Sequence, residues 1–125
     1  MLRIMSHPIE IMKLLVGGDM DFSLEEKKVG TWIDGKPVYQ RTWEITTTNG
    51  LKLTDTGDIK KLIHHFGEFY YDNNHQSHNF PWNASGGVES CMVSLSSNDL
   101  YLFLTGTIYV NKQGTVTCLY TKTTD

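Results

Sequence analysis

The chain has little cysteine, little proline and no surplus of positive charge, and each shortage excludes a class of protein. Two cysteines among 125 residues, Cys91 and Cys118, can build neither a disulfide framework nor a four-thiolate metal site. Eleven Lys and Arg against 14 Asp and Glu give a net charge of −3, which argues against a nucleic-acid binder because phosphates require a cationic face. No apolar run approaches the roughly 20 residues that span a bilayer, and the broken apolar stretch at 11–16 does not fit a secretion signal. We therefore expect the chain to be made in a cytoplasm and not to insert into a membrane.

What the sequence does contain is typical of one strand-rich domain. Hydrophobic residues make up 39% of the chain, which is enough to bury a core, and 125 residues suit a single domain. There are 14 threonines, several of them in runs such as 46–48, and β-branched side chains fit a pleated, half-buried surface. We therefore predict an all-β fold. The conformation of residues 1–24 is left open, because their apolar residues recur at helical spacing but an extended arm fits equally well.

A β-hairpin is predicted near the start of the domain. Two β-rich runs, 28–33 and 36–45, flank the dipeptide Asp34-Gly35. Asp-Gly is a strong hairpin signal because a type I′ turn requires positive φ at both of its central residues. A second tight turn is predicted at Asn49-Gly50.

Residues 58–71 carry two conflicting signals. Gly67 and the aromatic run that follows it are typical of a strand with a bulge. Five apolar residues instead recur at the spacing of a helix, and that spacing alone favours a helix over a strand. These residues are Ile59, Leu62, Ile63, Phe66 and Tyr70.

Residues 72–87 are predicted to form a long polar loop, and loops of this length in compact domains are commonly functional. Aromatic, histidine and asparagine side chains concentrate near its start, and flat rings beside amide groups suit a sugar or a protein epitope. The alternative is that Phe80-Pro81-Trp82 closes one end of the core. The candidate ligand-binding residues are Tyr70, Tyr71, Asn73, Asn74, His75, His78 and Trp82.

The C-terminal third is predicted to return to strands, at 90–95, 108–110 and 115–121, with turns at Asn98-Asp99 and 112–114. The segment after the first turn is apolar on both faces. We expect one face to join the chain's own core and the other to contact a second subunit. The candidate interface residues are Leu100, Tyr101, Leu102, Phe103 and Leu104.

Two stretches together resemble one family. Residues 23–42 read SLEEKKVGTWIDGKPVYQRT and resemble the opening of a domain found in many tailed-phage and prophage virion proteins. The family pattern there is an acidic and basic lead followed by Val-Gly-x-Trp-x-Asp-Gly-Lys-x-(Ile/Val)-Tyr. Residues 119–125, LYTKTTD, are similar to the same family's carboxyl end. The resemblance covers residues 23–45 and 114–125.

The resemblance implies an antiparallel, jelly-roll-like β-sandwich over residues 25–125, assembled as a homotrimer, with a strand at 58–71. Residues 1–24 would be a short attachment segment that contacts other virion proteins. The implied function is that of a virion structural protein, assembled in the bacterial cytoplasm, at a tail-fibre or receptor-binding tip that attaches to a host-surface glycan or protein. The alternative is a purely structural head-fibre, capsid-decoration or baseplate component.

No residue pattern predicts catalysis, a bound metal or a cofactor. His75 and His78 have no carboxylate or cysteine at ligand spacing, and the adjacent His64 and His65 would point to opposite faces of a strand. A homotrimer could still gather one histidine from each chain around its axis. The two cysteines lie on apolar faces, where inert thiols are the default. We therefore predict a binding protein and not an enzyme, with a metal-dependent or cysteine hydrolase of cell-surface polymer as the remaining alternative.

Overall fold

The computed structural model describes residues 21–70, 77–83, 90–106 and 110–125, and every helix or strand assigned within them is a strand. Most of the predicted attachment segment and most of the predicted strand at 108–110 lie outside the described residues. The strands are β1 Lys27–Thr31, β2 Pro37–Thr46, β3 Leu51–Lys52, β4 Ile59–Tyr70, β5 Ser77–Phe80, β6 Trp82–Asn83, β7 Ser90–Ser96, β8 Asp99–Thr105 and β9 Gln113–Lys122.

These strands form two antiparallel sheets, which confirms the predicted all-β, sandwich-like fold. The first sheet has the order β1-β2-β9-β4-β5 and the second has the order β3-β8-β7-β6. Within the described ranges no helix has the length and apolar character that crossing a membrane requires. The inner faces of the sheets share one core, formed by Ile45, Leu53, Ile59, Phe69, Phe80, Cys91, Val93, Leu100, Leu102, Leu104, Val116, Cys118 and Tyr120.

The predicted hairpin is confirmed, but its turn differs from the expected type. β1 and β2 pair antiparallel around Asp34-Gly35. Gly35 has a φ of +85° and donates its backbone N–H to the carbonyl oxygen of Trp32, whereas Asp34 does not have a positive φ. This geometry fits a type I turn followed by a left-handed glycine. The two consecutive positive φ values of a type I′ turn occur instead between β7 and β8, at Ser97 (+50°) and Asn98 (+63°).

The conflict at residues 58–71 is resolved in favour of the strand. β4 runs from Ile59 to Tyr70, so the helix favoured by spacing is wrong and the strand implied by the resemblance is confirmed. The pairing of β4 with β9 shifts register twice in the first half of β4. Each β-bulge adds one residue, so the positions that face the core fall three apart, at Ile59, Leu62 and His65, and imitate the spacing of a helix.

β4 and β9 approach each other closely at two glycines. A Cβ atom on Gly67 would lie 2.1 Å from the carbonyl oxygen of Thr115, and one on Gly114 would lie 2.3 Å from the carbonyl oxygen of Glu68. Only a residue without a side chain fits between these backbones at either position. Gly114 belongs to β9, so the turn predicted at 112–114 ends before it.

β8, predicted to be apolar on both faces, divides its side chains between the core and the surface. Leu100, Leu102 and Leu104 point inward and are at most 8% exposed. Tyr101 and Phe103 lie on the outer face of the second sheet, where Phe103 is 41% exposed. Alternate residues of a strand face opposite sides, so three of the five candidate interface residues fill the chain's own core. Only Tyr101 and Phe103 remain accessible to a partner.

The segment predicted as a polar loop, 72–87, contains two short strands. β5 pairs with the end of β4, and β6 pairs with the start of β7. At Pro81 the chain crosses from the edge of the first sheet to the edge of the second. The loop prediction is therefore wrong over 77–83, because these residues pair with existing strand edges, and 72–76 and 84–87 lie outside the described residues.

His65 joins the two sheets. It is half-buried on the inner face of β4, and its Nε2 accepts a hydrogen bond of 3.3 Å from the backbone N–H of Val93 on β7. β6 pairs with β7 only as far as Cys91, so no residue of β6 lies opposite Val93. The imidazole of His65 accepts the hydrogen bond that a neighbouring strand would otherwise accept from Val93. Burial and the neighbouring His64 lower the pKa of His65 below its ordinary value, which keeps Nε2 neutral and able to accept.

We expect this hydrogen bond to make stability depend on pH. Because the folded pKa of His65 is lowered, its contribution is complete above the unfolded pKa of about 6.5 and is lost progressively as the pH falls below that value. His65→Gln keeps an acceptor oxygen but does not titrate, so it should reduce the slope of unfolding free energy between about pH 7.5 and 5. His64→Gln, on the outer face of the strand, is the control and should retain most of the slope, because burial is the larger cause of the lowered pKa of His65. An unchanged slope in His65→Gln would contradict the role assigned to this side chain.

Candidate functional site

The predicted ligand-binding residues that the structure describes do not form one surface. Tyr70 lies on the outer face of the first sheet. His78 and Trp82 lie on the inner side, since their strand partners, Phe69 and Cys91, are fully buried core residues. The predicted residues outside the described ranges are Tyr71, Asn73, Asn74 and His75.

His78 and Trp82 pack against each other where the chain crosses between the sheets. Their rings are nearly parallel, with centroids 3.7 Å apart and an angle of 19° between the planes. Phe69 contacts both His78 and Phe80, at centroid distances of 5.6 and 5.3 Å. Burial lowers the pKa of His78. These rings close one corner of the sandwich, whereas Tyr70 faces away from it.

Tyr70 lines a groove on the outer face of the first sheet. Thr115 of β9 is the pairing partner of both Glu44 on β2 and Glu68 on β4, so these three side chains form one row across the sheet. Tyr70 belongs to the next row. The groove has a volume of about 410 Å³ and is lined by Glu44, Ile45, Thr46, Glu68, Tyr70, Gln113, Gly114 and Thr115.

The groove places one aromatic ring among hydrogen-bonding groups. The carboxylates of Glu44 and Glu68 only accept hydrogen bonds, whereas the amide of Gln113 and the hydroxyl of Thr115 both donate and accept. Phosphate and other anions are disfavoured by the two carboxylates. A flat ring beside donors and acceptors fits a neutral ligand rich in hydroxyl groups, because the ring covers an apolar face and the polar groups orient the hydroxyls.

A second depression adjoins the groove along β4 and shares Glu68 with it. Its volume is about 440 Å³, and it is lined by Phe66, Gly67, Glu68, Asn79 and Phe80. Asn79 is exposed and is the pairing partner of Glu68 on β5. Glu68 therefore stands between two depressions on the same face of the sheet.

Residues 21–24 contact the same outer face ahead of β1. Phe22 packs edge-to-face on Phe66, with ring centroids 5.9 Å apart and planes at 83°. The carbonyl oxygens of Asp21 and Ser23 accept hydrogen bonds from β2, at 3.1 and 2.9 Å. A fixed aromatic pair thus flanks the second depression.

The cysteines and the paired histidines that could support catalysis or metal binding do not line this groove. Cys91 and Cys118 are fully buried, and burial raises the pKa of both thiols to about 12, so they are protonated at neutral pH. His64 and His65 lie on opposite faces of β4. Among the residues that the structure describes, no group of three or more His, Cys, Asp or Glu is placed to hold a metal ion.

Most of the groove is not predicted from the sequence. The polar alternation of β2 puts Glu44 and Thr46 on one face, but no local signal identifies the strands beside it. Glu68, Gln113 and Thr115 join them only through the register of β2 and β4 on β9. Tyr70 is the one groove residue that belongs to the set of ligand-binding residues predicted from the sequence.

No protein-family model, curated protein or solved structure matches the chain.

Proposed function

We propose that the protein is a virion component of a tailed phage or prophage that attaches the particle to the host cell surface, as a tail-fibre or receptor-binding tip. Two observations support this role. One is the resemblance of residues 23–42 and 119–125 to virion proteins. The other is the Tyr70 groove, which is the observation that carries the binding role.

The two motif segments pack against each other, which supports treating them as one signature. The rings of Tyr39 and Tyr120 stack at a centroid distance of 6.2 Å. The hydroxyl of Tyr120 donates to the carboxylate of Glu26 at 2.6 Å, and Lys122 binds the same carboxylate at 2.5 Å. Lys122 also lies over the ring of Tyr39, at 4.6 Å. Segments about 80 residues apart thus form one cluster of side chains in contact.

The ligand that best fits the groove is a saccharide of the host surface. Tyr70 supplies a flat apolar face, and Glu44, Glu68 and Gln113 supply hydrogen-bond partners for hydroxyl groups. These side chains project from paired strands, so the backbone beneath them loses little conformational entropy when they bind. We propose that the protein binds this ligand without cleaving it.

Tyr70→Ala is expected to weaken saccharide binding at least about tenfold, because burying an aromatic side chain of this size contributes about 1.5–3 kcal/mol and each 1.4 kcal/mol changes the affinity tenfold. Tyr70→Phe keeps the ring and should retain most of the affinity. The measurement is binding of each variant to an array of bacterial surface-polysaccharide fragments, followed by titration calorimetry with the fragments that bind. Wild-type protein that binds no fragment, or a Tyr70→Ala variant that binds as well as wild type, would contradict the proposal.

We propose further that three chains assemble into a trimer of jelly-roll-like sandwiches. In the first sheet the last strand, β9, lies between β2 and β4, and in the second sheet β8 lies beside β3. The consecutive strands β2 and β3, and likewise β8 and β9, thus lie in different sheets, which supports the jelly-roll-like description. Tyr101 and Phe103, in contact at a centroid distance of 6.3 Å, offer an apolar surface for the neighbouring subunit. Three weak groove sites on one rigid assembly would raise avidity without a strong individual site. Light scattering should give three times the 14.2 kDa mass of one chain, and a monomer at micromolar concentration would contradict trimerisation.

The same outer face of the second sheet favours one alternative function. Tyr101 and Phe103 would also suit contact with another virion protein, as in a head-fibre, capsid-decoration or baseplate component, anchored through residues 1–24. Purified protein distinguishes the two. An attachment protein adsorbs to bacterial cells and competes with phage, whereas a structural component binds only virion particles.

A further inference from the structure

We infer that the site is an extended track along β4 that takes an oligosaccharide of several linked units, from the Tyr70 groove at one end to the Phe22–Phe66 pair at the other. This inference rests on the proposed saccharide-binding function and adds the length of the ligand to it.

The first support is the arrangement of the two depressions. They adjoin on one face of the first sheet and share Glu68, with Tyr70 lining one and Phe66 lining the other. Residues 66, 68 and 70 alternate along one face of β4 beyond its bulges. Four residues of a strand span about 14 Å, so the two rings mark the ends of a track too long for one sugar ring.

The second support is the way Phe22 is held. Its segment is tied to β2 on both sides of the ring, through the carbonyl oxygens of Asp21 and Ser23. The ring stands edge-on against Phe66 and is 46% exposed. A partly exposed aromatic pair fixed before binding can contact a ligand at little entropic cost.

The third support is the chemistry between the rings. Glu68 and its partner Asn79 place a carboxylate and an amide side by side at the middle of the track. The order aromatic, polar, aromatic fits a chain of sugars, because each sugar unit has an apolar face that can stack on an aromatic ring and hydroxyl groups that can bind the polar pair. The hydrogen-bonding groups named along the track belong to side chains, so the ligand needs no strand edge to pair with, whereas an extended peptide would.

The experiment compares short and long ligands on the same variants. The probes are bacterial surface-polysaccharide fragments of one to six sugar units, measured by array and then by calorimetry. For wild type, affinity should rise at least about tenfold from one unit to four. Phe22→Ala should lower the affinity for long fragments about five- to tenfold and leave single units unchanged. Tyr70→Ala should weaken both.

The matched control is Phe103→Ala, which removes a similarly exposed ring from the other sheet and should change neither affinity in a per-site measurement. Equal wild-type affinity for one and four units, or an unchanged long-fragment affinity in Phe22→Ala, would overturn the extended track while leaving saccharide binding in place. If wild type binds no fragment of any length, the proposed function itself fails, and the track fails with it.

Discussion

Replacing Gly67 with alanine is expected to lower the free energy of unfolding by about 3 kcal/mol or more. Gly67 has a φ of +153°, a backbone conformation that residues with a side chain rarely adopt. Its Cβ would lie 2.1 Å from the carbonyl oxygen of Thr115 and 2.8 Å from the Cα of Val116, both backbone atoms of β9. Because no side-chain rotation relieves an overlap with backbone, β4 and β9 would have to separate at the centre of the first sheet.

Urea unfolding of Gly67→Ala and of a control, Gly30→Ala, measures this effect. Gly30 lies on β1, and a Cβ there would meet no atom within 4 Å. Its replacement should change stability by no more than about 0.5 kcal/mol. Similar small losses in both variants would show that the close approach of β4 and β9 is not a stability determinant. Since Gly67 also precedes Glu68, a Gly67→Ala protein that still folds should have a distorted groove.

Leu102→Ala is expected to cost about 2–5 kcal/mol, the range for removing a buried leucine side chain and leaving a cavity. Leu102 is fully buried, and its strand neighbours are Leu51 on β3 and Val93 on β7. It therefore lies in the central part of the second sheet, facing the first. Domains of this size have a total stability of only about 5–15 kcal/mol, so this one substitution removes a large fraction of it.

The adjacent Phe103 provides the matched control, because it is as apolar as Leu102 but points outward. Phe103→Ala should cost the isolated chain about 1–2 kcal/mol, less than Leu102→Ala, because 41% of the residue is already exposed and its removal leaves no cavity in the core. It should instead shift the oligomer toward smaller species in light scattering, if this face joins subunits as proposed. Equal destabilisation by the two substitutions in urea unfolding would contradict the division of β8 into a core face and a surface face.

Local patterns predicted the hairpins well and the long central strand poorly. Asp34-Gly35 marks a turn because glycine there adopts a positive φ, a property of the dipeptide itself. In β4 two bulges moved the core-facing residues to a spacing of three, so the same periodicity argument indicated a helix. The bulges form in the pairing with β9, whose residues are about 60 positions away, and only that pairing reveals them.

In the candidate site, too, local patterns predicted some features and long-range pairing decided the others. Tyr70 was predicted as a ligand-binding residue from the aromatic and polar composition around it. His78 and Trp82 were predicted with it for the same reason, yet the crossing at Pro81 turns them into the corner of the sandwich. Composition identifies side chains that can contact a ligand, but it does not determine on which face of a sheet each one lies.

The sequence alone determined that this chain forms strands, where its tight turns fall and which residues of β8 are apolar, because turn geometry and side-chain alternation are set by neighbouring residues. Only the tertiary structure decided that β9 lies between β2 and β4, that Glu44 and Glu68 meet across Thr115, and that Phe22 reaches Phe66. The physical reason is that backbone hydrogen bonds between strands are nearly the same for every residue. Which strands pair, and in which register, is therefore settled by the packing of the whole core.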